Sequence, residues 1–185
     1  LDDYEADDIV GTVAFRSKNI FDEVEVISGD RDLLQLVTDN IKVFLTKKGL
    51  SDLDEYNKDN FYEKLDFYPS QLIDYKGLIG DSSDNLPGIP GVGPKTATKL
   101  LKEYNTLENL IDNASNIKGK VGEQISTFKD QALKTKHLAT IYTDADFEID
   151  LEKTKVVEPN KKALKAFYEK FEFNSFIKRL GEISE

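Results

Sequence analysis

Three short acidic clusters hold the residues of this 185-residue chain whose chemistry is most specific. They are Glu5-Ala6-Asp7-Asp8, Asp30-Arg31-Asp32 and Asp81-Ser82-Ser83-Asp84. Carboxylate oxygens are the ligands that Mg²⁺ and Mn²⁺ prefer in proteins. Two such ions, held about 3.5–4 Å apart, stabilise both the attacking and the leaving oxygen when a phosphodiester is cleaved. If the fold brings the clusters together, they predict a site for two divalent cations.

Each cluster also has a simpler explanation. Asp and Glu residues near the start of a helix commonly cap it or interact favourably with its dipole. Taken alone, each cluster is therefore more often structural than catalytic. The segment that follows the third cluster changes this balance.

That segment is rich in glycine and proline and runs from Ile89 to Ala97 (IPGVGPKTA). Glycines let a backbone approach a ligand closely, and the N-terminus of a helix offers free N–H groups and a partial positive charge. We predict a tight hairpin that enters a helix and holds a phosphate without reading bases. The spacing misses that of a nucleotide-binding P-loop by one residue, and a plain turn between two helices is the structural alternative. The residues predicted to hold the phosphate, and to bind DNA if the phosphate belongs to a nucleic acid, are Gly91, Val92, Gly93, Lys95, Thr96 and Lys99.

The first half of the chain is predicted to form the element that positions the acids. Alternating, β-branched residues predict strands at 24–28 and 41–46, with a short helix at 33–37 between them. This order indicates an α/β unit with a parallel sheet, and sites in such sheets lie at the strand ends. The rest is predicted to be nearly all helical, with helices at 6–15, 61–65, 69–79, 94–104, 121–140, 160–171 and 175–180 and one capped by Thr106.

Composition limits the class of protein. The chain has no cysteine, which excludes disulfides and thiolate metal sites, and no apolar run as long as a membrane span. We therefore expect a cytoplasmic protein with no membrane partner. Residues 1–84 carry 20 acidic and 9 basic residues, whereas 85–102 contain three lysines and no acid. The chain also lacks methionine and begins with leucine, which suggests a fragment.

The third cluster and the hairpin resemble a known family. The segment 80–97 (GDSSDNLPGIPGVGPKTA) resembles the helix–hairpin–helix region of the bacterial 5′-nucleases. This family includes the 5′→3′ exonuclease domain of DNA polymerase I and is related to the flap endonucleases. Segments similar to other parts of the family are 4–8 (YEADD), 29–36 (GDRDLLQL), 138–141 (LATI) and 171–176 (FEFNSF), so the resemblance covers essentially the whole chain.

The resemblance implies a fold and an activity. It implies a PIN-like α/β core over residues 1–75 and a mostly helical DNA-binding part over residues 76–185 that contains the helix–hairpin–helix. It also implies two Mg²⁺ or Mn²⁺ ions and hydrolysis of DNA at 5′ ends, flaps or nicked duplexes during replication and repair. A monovalent cation such as K⁺ is implied at the hairpin carbonyls. The family's acids that bind the metal ions, or lie directly beside them, match Glu5, Asp7, Asp30, Asp32 and Asp84, while Asp8 and Asp81 match supporting acids or ligands of the second ion.

One departure limits the expected activity. The family begins with a strand that carries another aspartate, followed by a further aspartate and a basic arch, and none of these is in this sequence. We therefore expect a chain that binds DNA but cleaves weakly or not at all by itself. We also expect a monomer. The sequence is compatible with a polymerase domain in the same full-length chain. Two alternatives stay open: a non-catalytic module that binds DNA structures through the hairpin, and a ribonuclease on a similar core, which the hairpin disfavours.

Overall fold

The computed structural model describes residues 2–182, which form two compact units divided after Asp146. The first unit contains most of the helices and all of the strands. Among the described residues, no helix is both long and apolar enough to cross a bilayer.

A small sheet forms the first part of this unit. Helix α1 (Ala6–Ser17) precedes strand β1 (Val24–Ser28), and a 3₁₀ turn then leads to β2 (Ile41–Thr46). β1 and β2 pair in parallel, with Val26 opposite Val43, as the sequence predicted. A third strand, β3 (Leu53–Tyr56), pairs antiparallel with β2. The sheet is therefore mixed rather than wholly parallel, because the short connection from β2 to β3 cannot hold the crossover that a parallel pair requires.

The remaining elements of the first unit are helices and one two-stranded hairpin. Two helix starts follow the predicted signals: Pro94 occupies a first turn, and Thr106 accepts from Asn109 N at 3.2 Å. The helix predicted at 61–65 begins earlier, at Lys58, because Asn57 accepts hydrogen bonds from two backbone N–H groups and caps it. The long helix predicted at 121–140 spans Lys120–Leu138, and its backbone angles are non-helical at Phe128. In chain order the elements are α2 (Lys58–Leu65), α3 (Leu72–Ile79), β4 (Gly80–Asp81), β5 (Leu86–Pro87), α4 (Pro94–Tyr104), α5 (Leu107–Asp112) and α6 (Lys120–Leu138).

Two hydrophobic clusters stabilise the unit, and α3 joins them. The first cluster surrounds the sheet and includes Leu72 at the start of α3. The second lies among the helices and includes Leu78 near the end of α3. A single helix therefore connects the sheet with the helical part, which orients the loop that follows α3 relative to the end of β1. The functional division near residue 75 stays a prediction.

The β4–β5 hairpin carries the third acidic cluster and depends on two glycines. Gly80 has a φ of +77°, a conformation that L side chains rarely adopt. A Cβ on Gly88 would lie 2.2 Å from the carbonyl carbon of Ile79, so the two backbones touch there. From α6, Thr135 Oγ1 and Gln131 Nε2 donate to the carbonyls of residues 87 and 88, each at 2.8 Å. The hairpin is thus held from both sides.

Gly88→Ala is expected to lower the free energy of unfolding by about 3 kcal/mol, because the added methyl overlaps backbone that cannot move away. Urea denaturation of the two proteins measures the change. Gly93→Ala is the matched control, since Gly93 has a φ of −98° and nothing within 4 Å of an added Cβ. Equal stability of the two variants would contradict this account of the hairpin.

The second unit, described by itself, contains a 3₁₀ turn at Leu151–Thr154 and helices α7 (Lys161–Lys170) and α8 (Asn174–Glu182). Asn160 caps α7 by accepting from Ala163 N at 3.0 Å. Aromatic rings lie against one another here; the centroids of Phe167 and Phe171 are 4.8 Å apart. These two side chains nevertheless remain 50% and 48% exposed, so the aromatic residues form a surface cluster.

Candidate metal centre and nucleic-acid interface

The three acidic clusters, distant in sequence, meet at one place in the first unit. Glu5 precedes α1 and Asp7 lies in its first turn, whereas Asp32 follows β1. Asp81 lies in β4 and Asp84 in the loop after it. Carboxylate oxygens of Asp32, Asp81 and Asp84 all lie within 4.8 Å of one another. This group contains acids of the second and third clusters, whereas Glu5, Asp7, Asp8 and Asp30 are not part of it. Glu5, Asp7 and Asp8 line one cavity together with Asp32 and Asp84.

Burial and the negative charges of neighbouring acids change the pKa of Asp7. Burial raises the pKa of Asp7, and the negative charges of Asp30, Asp32, Glu5 and Asp8 raise it further. This repulsion is the state that a bound cation would relieve. The neighbouring carboxylates therefore oppose the ionisation of Asp7.

Two concave surfaces flank Asp32. A cavity of about 350 Å³ is lined by four further acids and by the segment 138–141. That segment is held by Gln35, whose Nε2 donates to Ala139 O at 3.1 Å and whose Oε1 accepts from Ile141 N at 2.9 Å. A groove of about 690 Å³ is lined by Asp30 and Asp81 as well as by Asp32. The acids lining the first cavity with Asp32 are Glu5, Asp7, Asp8 and Asp84.

Asp8 has a structural function in this arrangement. Its Oδ2 accepts from Glu5 N at 3.0 Å, and its Oδ1 accepts from Tyr142 N at 2.8 Å. It therefore caps α1 and ties the start of that helix to the segment after α6. Its roles as a supporting acid of the metal site and as a ligand of the second ion both stay predictions.

The turn after β1 orients the second pair of acids. Asp30 N donates to Ser28 Oγ at 3.0 Å, and Asp32 N donates to Asp30 Oδ1 at 2.9 Å. Such side chain to backbone bonds hold a tight turn in one conformation. Asp30 and Asp32 consequently leave the sheet edge with defined directions.

A lysine that the sequence did not single out lies among the acids. Lys76 on α3 is only 7% exposed, and its Nζ pairs with Asp32 Oδ1 and, at 2.6 Å, with Asp81 Oδ2. Burial acts to lower the pKa of Lys76, but hydrogen bonds to both carboxylates outweigh it and raise the pKa. The only sequence signal was a lysine inside the apolar run LIDYKGLIG.

Asp81 is bound from two directions. Its Oδ1 accepts from Ser83 N at 2.9 Å and from the Ser83 hydroxyl, in addition to the pair with Lys76. Burial opposes ionisation, but these hydrogen bonds outweigh it and lower the pKa of Asp81 to about 2. Asp81 is therefore ionised in the folded protein over a wide pH range.

Asp81→Asn is expected to lower the free energy of unfolding by about 1 kcal/mol at pH 5, and this difference should shrink as the pH falls. The pKa of Asp81 is lower in the folded protein than its ordinary 3.8, so the stabilisation is present above about pH 4 and is lost toward pH 2. Urea denaturation in EDTA between about pH 5 and pH 3 measures it. A difference that stays constant over that range, as expected for the surface control Asp130→Asn, would contradict the assignment.

The predicted hairpin forms a tight turn that enters α4. Val92 N donates to Ile89 O at 3.0 Å, and Gly91 has a φ of +80°. Pro90 and Gly91 thus occupy the central positions of a type II turn, which favours these two residue types. Ile89 and Val92 are 2% and 6% exposed, so they anchor the turn in the second hydrophobic cluster.

The N-terminus of α4 faces outward. Gly93 is exposed, and its carbonyl accepts from Ala97 N at 2.9 Å, which begins the helix. The N–H groups of Lys95 and Thr96 lie in the first turn, where a helix has no acceptors of its own. Because the Val92 side chain is buried, only its backbone could contact a ligand.

Lysines surround this helix start. Lys95 and Lys99 are exposed and line a groove of about 470 Å³. Lys102 lines the same groove, but its Nζ pairs with Asp66 Oδ1 at 2.5 Å. The carboxylate partly neutralises the lysine and so weakens its attraction for phosphate. The two exposed lysines are therefore the stronger candidates for contact with phosphate.

Comparison with known proteins identifies the class. Residues 1–66 match the family model described as "5'-3' exonuclease, N-terminal resolvase-like domain", and residues 67–162 match "5'-3' exonuclease, C-terminal SAM fold". The chain belongs to the 5′-3′ exonuclease family, which is a family of enzymes. The fold class and the family resemblance expected from the sequence are thereby confirmed.

The relatives are longer proteins. DNA polymerase I of Bacillus subtilis (strain 168) is 46% identical over 185 residues, which are 100% of this chain and 21% of the relative. DNA polymerase I of Bacillus caldotenax is 42% identical over 181 residues, 97% of this chain and 21% of the relative. The chain thus spans about one fifth of the length of these curated relatives.

A solved structure shares the fold. The bacteriophage T5 5′-exonuclease, described with bound divalent zinc ions, matches with a TM-score of 0.69 and 25% identity over 77% of this chain and 52% of that one. Its metal ions are a property of that protein. The similarity agrees with the α/β fold of this chain.

Proposed function

We propose that the chain is a metal-dependent 5′→3′ exonuclease and structure-specific flap endonuclease that hydrolyses DNA phosphodiesters in replication and repair. The observation that carries the proposal is the meeting of Asp32, Asp81 and Asp84, with oxygens within 4.8 Å of one another, in a unit that also presents the basic hairpin. The family to which the chain belongs supports it. Weak activity of the chain by itself is part of the proposal.

The donor set suits the ions that we propose. It consists of carboxylate oxygens, which fit Mg²⁺ or Mn²⁺ rather than softer metals. When bound, two such ions would offset the negative charge that develops on the phosphate during hydrolysis. The residues proposed to hold them and to be catalytic are Glu5, Asp7, Asp30, Asp32 and Asp84, with Asp8 and Asp81 as supporting acids or ligands of the second ion.

The hairpin would bring the DNA to these acids. Phosphate oxygens can bind to the backbone N–H groups at the start of α4 and to the ammonium groups of Lys95 and Lys99. Such contacts fix the position of a duplex on the protein but do not distinguish one base sequence from another. Recognition would therefore depend on DNA structure, such as a 5′ end, a flap or a nick. A monovalent cation such as K⁺ among the carbonyls of residues 91–95 belongs to this proposal, as do a monomeric state and a polymerase domain in the same full-length protein.

A second candidate function is a DNA-structure-binding module without catalysis. The pairing of Lys76 with Asp32 and Asp81 favours it, because a built-in cation already neutralises part of the acidic group. Such a module would use only the hairpin.

Incubation with a 5′-labelled flap DNA separates the two functions. Both this chain and the full-length gene product are assayed with Mg²⁺, with Mn²⁺ and with EDTA. The nuclease proposal expects release of the label only when a divalent ion is present. Binding without cleavage by the full-length product would support the module instead, and absence of both would overturn the assignment of the hairpin.

A further inference from the structure

Lys76 is a buried cation inside an acidic group. Its side chain is 9% exposed, and it pairs with Asp32 and Asp81, which are 21% and 15% exposed. Burying an ammonium group is costly unless it is paired with good geometry, so this lysine depends on the two carboxylates as much as they depend on it. Removal of the Lys76 ammonium group would leave the negative charges of Asp32 and Asp81 close together.

The position of Lys76 also affects any cation that binds next to it. Asp84 completes the group with Asp32 and Asp81, and all three offer oxygens within 4.8 Å of one another. A fixed positive charge bonded to two of these three acids repels a divalent ion at the third and occupies oxygens that the ion would use. At separations of a few ångströms this repulsion is worth on the order of tenfold or more in affinity, even with strong solvent screening.

We propose that Lys76 is a positioning residue of the metal centre, which holds Asp32 and Asp81 in place and weakens divalent-cation binding at the Asp32–Asp81–Asp84 group. This inference rests on the proposed function, because it assumes that the acids bind metal. Its consequence is a site that keeps its shape without an ion and releases the ion readily.

Lys136 provides a matched control. It is also a half-buried lysine that bridges two acids, Asp74 at 2.6 Å and Glu108 at 2.8 Å. Neither of these acids belongs to the acidic group or lines its two cavities. Replacement of Lys136 therefore removes a comparable ion-pair network without altering the charge at the proposed metal site.

The test is calorimetric titration of Mn²⁺ into the wild-type chain and into the K76M, K76Q, K76R and K136M variants, with melting temperatures measured in EDTA and in Mn²⁺. K76M and K76Q are expected to bind Mn²⁺ about tenfold more tightly than the wild type. They should also melt at a lower temperature in EDTA and recover in Mn²⁺. K76R should keep the wild-type affinity, and K136M should lose stability without a change in affinity.

The outcomes are distinguishable. If the wild type binds Mn²⁺ and the neutral variants that fold bind it within twofold of the wild type, the role of Lys76 is wrong and the proposed function stands. An equal gain in K136M would also overturn the role of Lys76. If neither the wild type nor any variant binds Mn²⁺, the proposed metal centre fails, and this inference fails with it.

Discussion

Asp84→Asn is expected to reduce cleavage of a 5′-flap substrate by about 1000-fold in the full-length gene product while leaving duplex binding within about twofold. Asparagine keeps the size of the side chain but removes the charge that a divalent ion requires. Asp84 is exposed in the loop between β4 and β5, so the substitution should cost little stability. Single-turnover cleavage with saturating enzyme, combined with binding in Ca²⁺, separates the chemical step from affinity.

Asp130→Asn is the control for this experiment. Asp130 is an exposed aspartate on α6 and lines neither cavity beside Asp32. The Asp130→Asn variant should cleave the flap substrate at the wild-type rate. If Asp84→Asn retains more than about a tenth of the wild-type rate, Asp84 is not a ligand that catalysis requires, and the proposed metal set must be redrawn around other acids.

Reversal of the hairpin charge should give the largest change in DNA binding. The double substitution Lys95→Glu and Lys99→Glu is expected to weaken binding to a duplex with a 5′ end by on the order of 100-fold at low salt. It should also reduce the slope of log affinity against log salt concentration by about 2, one unit for each lost phosphate contact. Fluorescence anisotropy over a series of salt concentrations measures both quantities.

The matched control carries the same change in net charge elsewhere. Lys129 and Lys134 are exposed on α6, and neither lines the groove beside α4. Their replacement by glutamate should change affinity much less and should leave the salt slope nearly intact. An equal loss in the two double variants would mean that overall charge, rather than the hairpin, determines binding.

Local interactions explain what could be predicted from the sequence. Strands 24–28 and 41–46 have the predicted bounds, and α4 begins at Pro94 and ends at Tyr104 as expected. Alternation, caps and proline restrict the backbone within a few residues, so they can be recognised without knowledge of the fold. The type II turn at Pro90-Gly91 was predictable for the same reason.

The tertiary structure decided how the acids meet. The sequence identified the three clusters, but only the shared helix α3 and the close contact of Gly88 with Ile79 place Asp81 and Asp84 beside Asp32. These contacts join residues far apart in the chain, and no short pattern records them. The assignment of each acid as a ligand stays a prediction.

The sequence by itself therefore determined the family, the types of most helices and of strands β1 and β2, and the candidate acids, because those depend on residue type and short spacing. Only the tertiary structure revealed the antiparallel strand β3 and the burial of Lys76 between Asp32 and Asp81. A lysine is mostly exposed in proteins and becomes buried only when the fold supplies partners. The position of Lys76 between two acids depends on contacts that the fold creates, including one with Asp32, which is distant in the sequence. The residues next to Lys76 in the chain could therefore not predict it.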